Sequence, residues 1–339
     1  MTTVAGLPGV LAPVPYPDGP AAPPRLGPAA EFRSALADRE LELPLPGDGD
    51  TVSRWAALAR FGRRDLSLAR LVEGHTDAVA ILAEAGRAPQ PHRLYGVWAS
   101  RAGGGAHLAG GAGGLRLRGT VRFCSGTHLL DRALVVAGAD DGTTRTVDLD
   151  LGDVHVERCA GRWRAPGMAA GDSDDVVLHD VPVPPDTVVG GPDAYTDRPG
   201  FWWGGAGVAA VWLGGAAALC DEVAAALGPD AEDPHRLAGL GTAVVAVSAA
   251  DALLGATAAA VDADPGRGHR RAVQVARSAV ERAGRTVLDE APAVSGVSAL
   301  AGSARFGVRL ADLQIYLRQH HGGRDLADIG RALLERGGR

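Results

Sequence analysis

Residues 166–191 read PGMAAGDSDDVVLHDVPVPPDTVVGG and carry the most informative pattern in the chain. A small-residue turn comes first, an apolar run at residues 176–178 follows, and two proline steps lead to a pair of glycines. Short apolar runs bounded by glycine, aspartate and proline are typical of strands. A generic strand ending in proline explains these pieces but not their order. The stretch therefore predicts one strand of a β domain and a defined exit from that domain.

The same character extends over residues 94–189. Runs such as LYGVWAS, LRLRGTVRF and RALVVAG are separated by turn residues, at intervals typical of an antiparallel sandwich or barrel. The glycine-rich residues 103–114 are followed by a strand pattern, whereas a phosphate-binding loop requires a helix there. They are therefore expected to form a mobile hairpin.

Helical patterns flank this region on both sides. Residues 31–86 are helical, and residues 65–85 have the apolar spacing of an amphipathic pair of helices. After residue 200, apolar residues three and four apart form the stripe of bundle helices, and they include Val273, Ala276, Val280, Ala283 and Val287.

The predicted fold class is accordingly α+β and multidomain. The expected division is an extended lead-in over residues 1–30, a helical domain over 31–92, a β-barrel over 93–195 and a helical bundle over 196–339.

Composition excludes several classes of protein. The formal net charge of −6 and the lack of a basic run argue against a nucleic-acid partner. The chain has no lysine, which excludes Schiff-base chemistry and a P-loop lysine. Three separated cysteines indicate neither a disulfide framework nor a zinc site, so no metal is expected and a reducing cytoplasm fits best.

No cationic leader opens the sequence, and residues 208–227 are the most apolar stretch. Asp221 and Glu222 lie inside this stretch, so we predict a buried helix rather than a membrane span.

The order of helical domain, β-barrel and helical bundle resembles that of the acyl-CoA dehydrogenases, and residues 166–191 resemble the late part of their middle domain. Residues 122–137, RFCSGTHLLDRALVVA, are similar to the strand that passes the flavin ring in that family. This resemblance implies FAD as cofactor, with contacts from Phe123, Cys124 and Ser125. An aromatic face and a hydroxyl are suitable neighbours for a flat redox ring.

Residues 94–100, LYGVWAS, resemble a second flavin-contacting segment. Tyr95 and Val97 fit the family pattern, Trp98 stands where the family has threonine, and Ala99 replaces a glutamate. The resemblance implies that Tyr95, Val97 and Trp98 also contact the cofactor. The Arg-x-x-Phe-Gly element that helps to bind cofactor across the family's dimer interface is absent after residue 227.

The segment at residues 310–330, LADLQIYLRQHHGGRDLADIG, bears on the chemistry. In many acyl-CoA dehydrogenases a glutamate at the end of this helix removes the substrate's α-proton. The resemblance places His320 at the glutamate position and His321 at the following glycine. His320 also continues an apolar stripe with Phe306, Leu310, Leu313 and Leu317.

Two interpretations of the histidines stay open. A neutral imidazole can act as a base, or donate to a peroxide or oxyanion, so His320 and His321 are the candidate catalytic residues. Alternatively, they only favour the negative end of a helix that Gly322 and Gly323 terminate.

The resemblance implies an FAD-dependent oxidoreductase that oxidises a CH–CH bond of an acyl thioester or related small substrate, possibly acyl-CoA, with the usual base replaced. One alternative is a flavin monooxygenase supplied by a reductase, and another is a non-catalytic binding subunit of the same fold. A homodimer or homotetramer is expected because the family binds FAD between subunits, and no membrane partner is expected.

Overall fold

The structure, a computed structural model, describes residues 9–11, 27–111 and 113–337. Its first part is helical, with α1 (Pro28–Ala37), α2 (Thr51–Arg64) and α3 (Leu66–Glu84). The expected pair of helices over residues 65–85 is one continuous helix. No proline interrupts residues 66–84, so the helix can continue without a break. The polar residues His75 and Thr76 near its middle are buried in the protein.

The middle part is an eight-stranded sheet in the order β6-β7-β3-β2-β4-β5-β8, with β1 paired to β4 off this path. Its strands are β1 (Tyr95–Trp98), β2 (Gly105–Gly111), β3 (Gly114–Cys124), β4 (Arg132–Ala139), β5 (Thr144–Asp150), β6 (Val156–Cys159), β7 (Asp174–Val183) and β8 (Val188–Val189). β2 and β3 form the hairpin expected from the glycine-rich stretch, in the register that pairs Gly111 with Gly114.

The expected closed antiparallel barrel is not found. The short strands β6 and β8 stand at opposite ends of the sheet order and do not pair with each other. β1 and β2 both pair with β4 in parallel, which local apolar patterns could not predict because pairing direction depends on distant partners. The informative strand pattern at residues 176–178 lies in β7, which stands next to the end strand β6 and makes a long antiparallel contact with β3.

The last part is a set of packed helices: α4 (Ala194–Asp197), α5 (Gly200–Leu227), α6 (Pro234–Ala263), α7 (Arg270–Gly302), α8 (Ala304–Tyr316) and α9 (Gly322–Gly337). The stripe predicted on α7 is confirmed, because Val273, Ala276, Val280, Ala283 and Val287 are all buried. On α8, Phe306 and Leu313 are buried as expected, and so is Leu317 in the turn that follows.

The end of α8 differs from the sequence prediction. The α-helix ends at Tyr316, a 3-10 turn covers Leu317–Gln319, and His320 has extended backbone. Gly322 and Gly323 open α9 instead of terminating a helix, and the carbonyl of His321 accepts the Arg324 N–H at 2.9 Å. The two histidines therefore occupy a junction between helices.

α5 is the central helix of the bundle, and glycine allows its close approach to α2. A Cβ at Gly214 would overlap the carbonyl oxygen of Ala59, and a Cβ at Gly62 would overlap that of Val211. α5 and α6 are each long and apolar enough to cross a membrane, but 78% of the most apolar window of α5 is buried inside the protein, compared with 44% for α6. For α5, this burial agrees with the predicted core helix.

Most of the predicted lead-in lies outside the described residues. Residues 9–11 are described and are packed, not loose: the amides of Val10 and Leu11 donate to Asp251 Oδ1 on α6 at 2.7 and 2.9 Å. Both side chains are buried. The lead-in sequence carries no periodic pattern, so an anchor formed by one carboxylate over 240 positions away could not be predicted from it.

Candidate functional site

The junction after α8 holds His320 between two bundle helices. Its Nε2 lies 3.3 Å from Ser278 Oγ on α7, and its ring packs edge-on against Trp212 of α5 at 6.2 Å between ring centroids. Nδ1 lies 3.8 Å from Asp325 Oδ2, beyond hydrogen-bond distance, and has no hydrogen-bond partner in the described part of the chain. The His320 side chain is only 2% exposed, whereas His321 is exposed. The structure thus places one of the two candidate histidines inside the protein.

Burial lowers the pKa of His320, and the positive charge of Arg277 lowers it further, against a smaller opposite effect of Asp325. Because the pKa lies below its usual value, the ring is neutral at neutral pH. A neutral imidazole offers one donor and one acceptor nitrogen. His320 is therefore able to accept a proton from a bound molecule at neutral pH.

Three further side chains surround this ring. The Arg277 guanidinium on α7 stacks over Trp212 at 5.0 Å from the ring centroid, and Tyr316 at the end of α8 packs edge-on against the same indole at 6.1 Å. The Tyr316 hydroxyl is buried and lies close to the Arg70 side chain, but it makes no hydrogen bond of good geometry among the described residues. Burial raises the Tyr316 pKa well above its usual value, so the phenol keeps its proton. Trp212 and Tyr316 thus form an aromatic surface beside the Arg277 cation, and the Tyr316 hydroxyl adds a hydrogen-bond donor to it.

A row of charges on α3 borders this group. Arg70 and Glu73 form a close ion pair, and Asp77 lies one turn further along, 3.5 Å from Arg198. Arg198 also contacts Glu84 at 3.0 Å. Burial raises the pKa of Glu73 despite the neighbouring Arg70, and burial likewise raises the pKa of Glu84. Paired charges of this kind are stable in the interior only when they are kept together.

Two glycines near the N-terminal end of α5 leave room for the charged side chains of Asp77 and Arg277. A Cβ at Gly204 would lie 2.6 Å from Asp77 Oδ1, and a Cβ at Gly205 would lie 3.1 Å from Arg277 Nη1. The same Arg277 atom donates a short hydrogen bond to the Gly205 carbonyl. Gly205 and Arg277 both keep some solvent-accessible surface, while Trp212 and Tyr316 behind them are buried. The accessible edge of the site is therefore formed by glycine and arginine.

The second set of predicted residues lies where β1 and β3 end. Trp98 Nε1 donates to the Ser125 carbonyl at 3.1 Å, so the structure joins residues from two separate motifs. Ser125 Oγ continues the link to Ser173 Oγ at 3.2 Å. Phe123 is 52% exposed, has a left-handed backbone with φ 63°, and carries the Arg122 guanidinium 4.9 Å from its ring centroid. An exposed ring held in that conformation is unusual for an aromatic residue and suggests a ligand surface.

The other three predicted cofactor contacts have different surroundings. Tyr95 is fully buried and packs with Val97 in a small core cluster that does not include Trp98. Neighbouring residues of a strand point to opposite faces, which explains this separation. Cys124 is fully buried, and its thiol donates to the Val121 carbonyl at 3.3 Å. A cofactor role for Tyr95, Val97 and Cys124 stays a prediction, and for Tyr95 and Cys124 it would involve backbone atoms.

The sequence reasoning missed Arg277, Tyr316 and Ser278. Arg277 lies four residues after Val273 and three before Val280, so its charge falls on the same helix face as the apolar stripe. Tyr316 likewise lies three residues after Leu313. A charged or polar residue on an otherwise apolar stripe was the available signal.

One possible metal-ligand group occurs among the described residues. His128, Asp172 and Asp174 bring ligand atoms within 4.8 Å of one another at the surface. These carboxylates already accept local hydrogen bonds, including those of the His128 and Arg162 amides.

Several solved structures share the fold of this chain. It matches dibenzothiophene monooxygenase TdsC from Paenibacillus sp. A11-2 with a TM-score of 0.74 and 21% identity, over 91% of this chain and 95% of that one. It also matches KijD3 in complex with dTDP, with a TM-score of 0.73 and 20% identity over 91% and 94% of the two chains. XiaF from Streptomyces sp., in complex with FADH2 and glycerol, matches with a TM-score of 0.69 and 17% identity over 91% and 96%.

No family model matches the chain, and no curated protein matches its sequence. Identities of this size together with these TM-scores show the fold alone. That fold is the acyl-CoA dehydrogenase fold, which confirms the resemblance seen in the sequence. Two of the matched structures contain a flavin, FMN in TdsC and FADH2 in XiaF.

Proposed function

We propose that this chain is a flavin-dependent monooxygenase that receives reduced flavin from a separate reductase and acts on a small organic molecule. The observation that carries the proposal is the neutral, buried His320 at the end of α8, where the dehydrogenase reaction needs a carboxylate. Among the described residues, the carboxylate within ion-pair distance of the imidazole is that of Asp325, whose Oδ2 lies 3.8 Å from Nδ1. The monooxygenase named among the matched structures supports this choice over the CH–CH oxidation predicted from the sequence.

The residues at the strand ends fit a flavin. Phe123 offers an exposed aromatic face, and Ser125 and Trp98 are fixed beside it by hydrogen bonds. A flat ring system with polar edges needs stacking on its face and donors or acceptors at its rim. These three residues would hold the flavin ring, which when bound supplies the two-electron redox chemistry. FAD was predicted from the sequence, and FMN is the other flavin to test.

The residues of the bundle would act on the substrate. His320, whose Nδ1 has no hydrogen-bond partner in the described part of the chain, would accept a proton from a substrate N–H or O–H, and Ser278 would orient the ring through Nε2. The unused Tyr316 hydroxyl would donate to a substrate oxygen. Closure of the site by Trp212 and Tyr316 keeps bulk water from the imidazole, which strengthens each of these interactions.

The proposal is tested with indole as a probe, because one matched structure of TdsC contains FMN and indole. The wild-type protein is supplied with FMN or FAD, a flavin reductase, NADH and air, and oxygenated indole is measured by mass spectrometry. His320→Ala is expected to lower the rate about 100-fold, the usual contribution of a positioned base. Arg318→Ala, an exposed neighbour, is the matched control and is expected to retain the wild-type rate.

Two results would overturn the proposal. Oxidised flavin that stays bound and loses its colour with butyryl-CoA under nitrogen would support the CH–CH oxidation instead. A protein that binds neither oxidised nor reduced flavin would support the non-catalytic alternative. A cytoplasmic location and a homodimer or homotetramer remain predictions alongside this proposal.

A further inference from the structure

Arg277 has no counter-ion among the described residues. Its guanidinium stacks on Trp212 and donates to the Gly205 carbonyl, and no carboxylate lies within ion-pair distance of it in the described part of the chain. A guanidinium has five N–H donors. Burial lowers the Arg277 pKa, an effect that Asp325 and Glu73 only partly offset from a distance. Among the described residues the Gly205 carbonyl is the one hydrogen-bond acceptor for this guanidinium, so its other N–H donors are available to a ligand.

The other interior arginines are satisfied differently. Arg70 is paired with Glu73, and Arg198 contacts both Asp77 and Glu84. Arg54 also lacks an ion pair among the described residues, but it donates to two carbonyls, those of Pro44 and Thr76, at 3.0 and 2.9 Å. Arg277 thus differs from each of them, and it alone borders His320 and Tyr316.

Nearby acids are already engaged. Glu73 is tied to Arg70, and Asp325 lies 3.4 Å from the side-chain amide of Gln274. Unused polar atoms beside Arg277 include the Tyr316 hydroxyl, a donor at neutral pH. A positive charge and a hydroxyl donor beside aromatic rings are suited to an anion that is joined to an apolar ring.

We propose that the substrate of this site is an aromatic carboxylic acid, whose carboxylate pairs with the Arg277 guanidinium. A carboxylate matches the planar fork of arginine with two parallel hydrogen bonds, which lysine cannot reproduce. The inference rests on the proposed function in that it assigns the anion to the substrate. The phosphate of the flavin is the other possible source of an anionic oxygen, and the experiment separates the two.

The test measures binding by isothermal titration calorimetry without flavin or oxygen, so that it does not depend on turnover. Benzoate and benzamide are the probes, because they share ring and shape and differ in charge. Wild-type protein is expected to bind benzoate at least about tenfold more tightly than benzamide. Arg277→Gln is expected to weaken benzoate binding about 10- to 100-fold and to leave benzamide within about twofold.

Two variants act as controls. Arg271→Gln removes the same charge from an exposed position of the same helix and is expected to bind both probes as the wild type does. Arg277→Lys keeps the charge but loses the fork, and it is expected to bind benzoate with intermediate affinity. If Arg277→Gln does not fold, as circular dichroism would show, the wild-type preference and Arg277→Lys decide the question.

Equal affinity of the wild type for the two probes, no benzoate binding, or unchanged benzoate binding in Arg277→Gln would overturn the inference. So would a variant that loses affinity for reduced FMN but not for reduced riboflavin, because the anion would then be the cofactor's phosphate. A clear benzoate preference without any oxygenation of substrate would leave the inference standing and contradict the proposed function. Oxygenation of substrate by a protein that does not prefer benzoate would support the proposed function and contradict the inference.

Discussion

Two histidines with buried side chains, in different regions of the molecule, differ in how the surrounding residues satisfy their ring nitrogens. His75 on α3 lies against β1, and its Nδ1 accepts the Tyr95 N–H at 3.1 Å. His320, at the junction of α8 and α9, has an Nδ1 without a hydrogen-bond partner among the described residues. Burial lowers the pKa of both, to about 4 for His75.

The difference shows that burial and a shifted pKa do not by themselves identify a reactive group. His75 is closed into a satisfied contact between a helix and a strand. Beside the unpartnered His320 Nδ1 lies a second buried polar atom without a hydrogen-bond partner among the described residues, the Tyr316 hydroxyl. Unsatisfied buried polar atoms are uncommon in folded proteins, and a group of them requires an explanation such as a ligand.

The largest expected effect concerns the stability of the His75 region. Since the folded-state pKa of about 4 lies below the unfolded value of 6.5, His75 contributes stability that is present above pH 6.5. That contribution is lost as the pH falls from 6.5 through 4, by up to about 3 kcal/mol in the free energy of unfolding. Urea unfolding at a series of pH values should show this loss in the wild type.

His75→Gln should flatten that pH dependence, because glutamine does not titrate. His321→Gln is the matched control, since His321 is exposed, and it should follow the wild-type curve. If the free energy of unfolding of His75→Gln changed with pH in parallel with that of the wild type, His75 would not be the group whose titration causes the loss of stability.

Two glycines of α5 extend the comparison between core and site. Gly214 faces the backbone of α2, so Gly214→Ala should lower the free energy of unfolding by about 1–3 kcal/mol through overpacking. Gly205 faces the flexible Arg277 side chain, so Gly205→Ala should cost less than about 1 kcal/mol but weaken benzoate binding several-fold. Denaturant unfolding and calorimetry measure the two effects.

Gly241→Ala provides the control for these substitutions. Gly241 lies in α6 with open space where the Cβ would be, so alanine should stabilise the helix by about 0.5–1 kcal/mol. If Gly205→Ala destabilised the protein as strongly as Gly214→Ala, the N-terminal part and the middle of α5 would not have separate roles.

The smallest expected effect concerns Asp325. Its negative charge raises the pKa of His320, so Asp325→Asn should lower that pKa further. The acid limb of the pH profile for indole oxygenation should then move to lower pH, with a fall of a few-fold in the maximum rate because the base is weaker. Glu335→Gln, an exposed change on the same helix, should leave the profile in place. A profile that does not move in Asp325→Asn would mean that His320 does not titrate in the reaction.

Much of the fold could be predicted from local patterns. The stripe of α7 and the hairpin of the glycine-rich stretch depend on periodicity and turn residues that lie close together in the sequence. The parallel pairing of β1 and β2 with β4 could not be predicted, because strand direction is fixed by contacts across more than twenty positions. The open sheet follows from the same long-range pairings.

The site was predictable only in part. The family resemblance of residues 310–330 predicted His320 as a candidate base, and the structure places that ring inside the protein, while its catalytic role stays a prediction. The spacing of Arg277 places it on the apolar stripe of α7, but this signal alone does not identify a binding residue, since a single arginine on a bundle helix usually reaches solvent. Its importance depends on Trp212, Gly205 and the missing counter-ion, which only the packed structure brings together.

The most direct test of the proposed function compares the affinities of reduced and oxidised flavin, because a protein supplied by a reductase has to take up the first and release the second. Dissociation constants for both redox states of FMN and FAD can be measured under nitrogen by calorimetry, with no substrate present. The account predicts that the reduced form of one flavin binds at least about tenfold more tightly than its oxidised form. Oxidised flavin bound as tightly as reduced flavin, and retained through gel filtration, would contradict it.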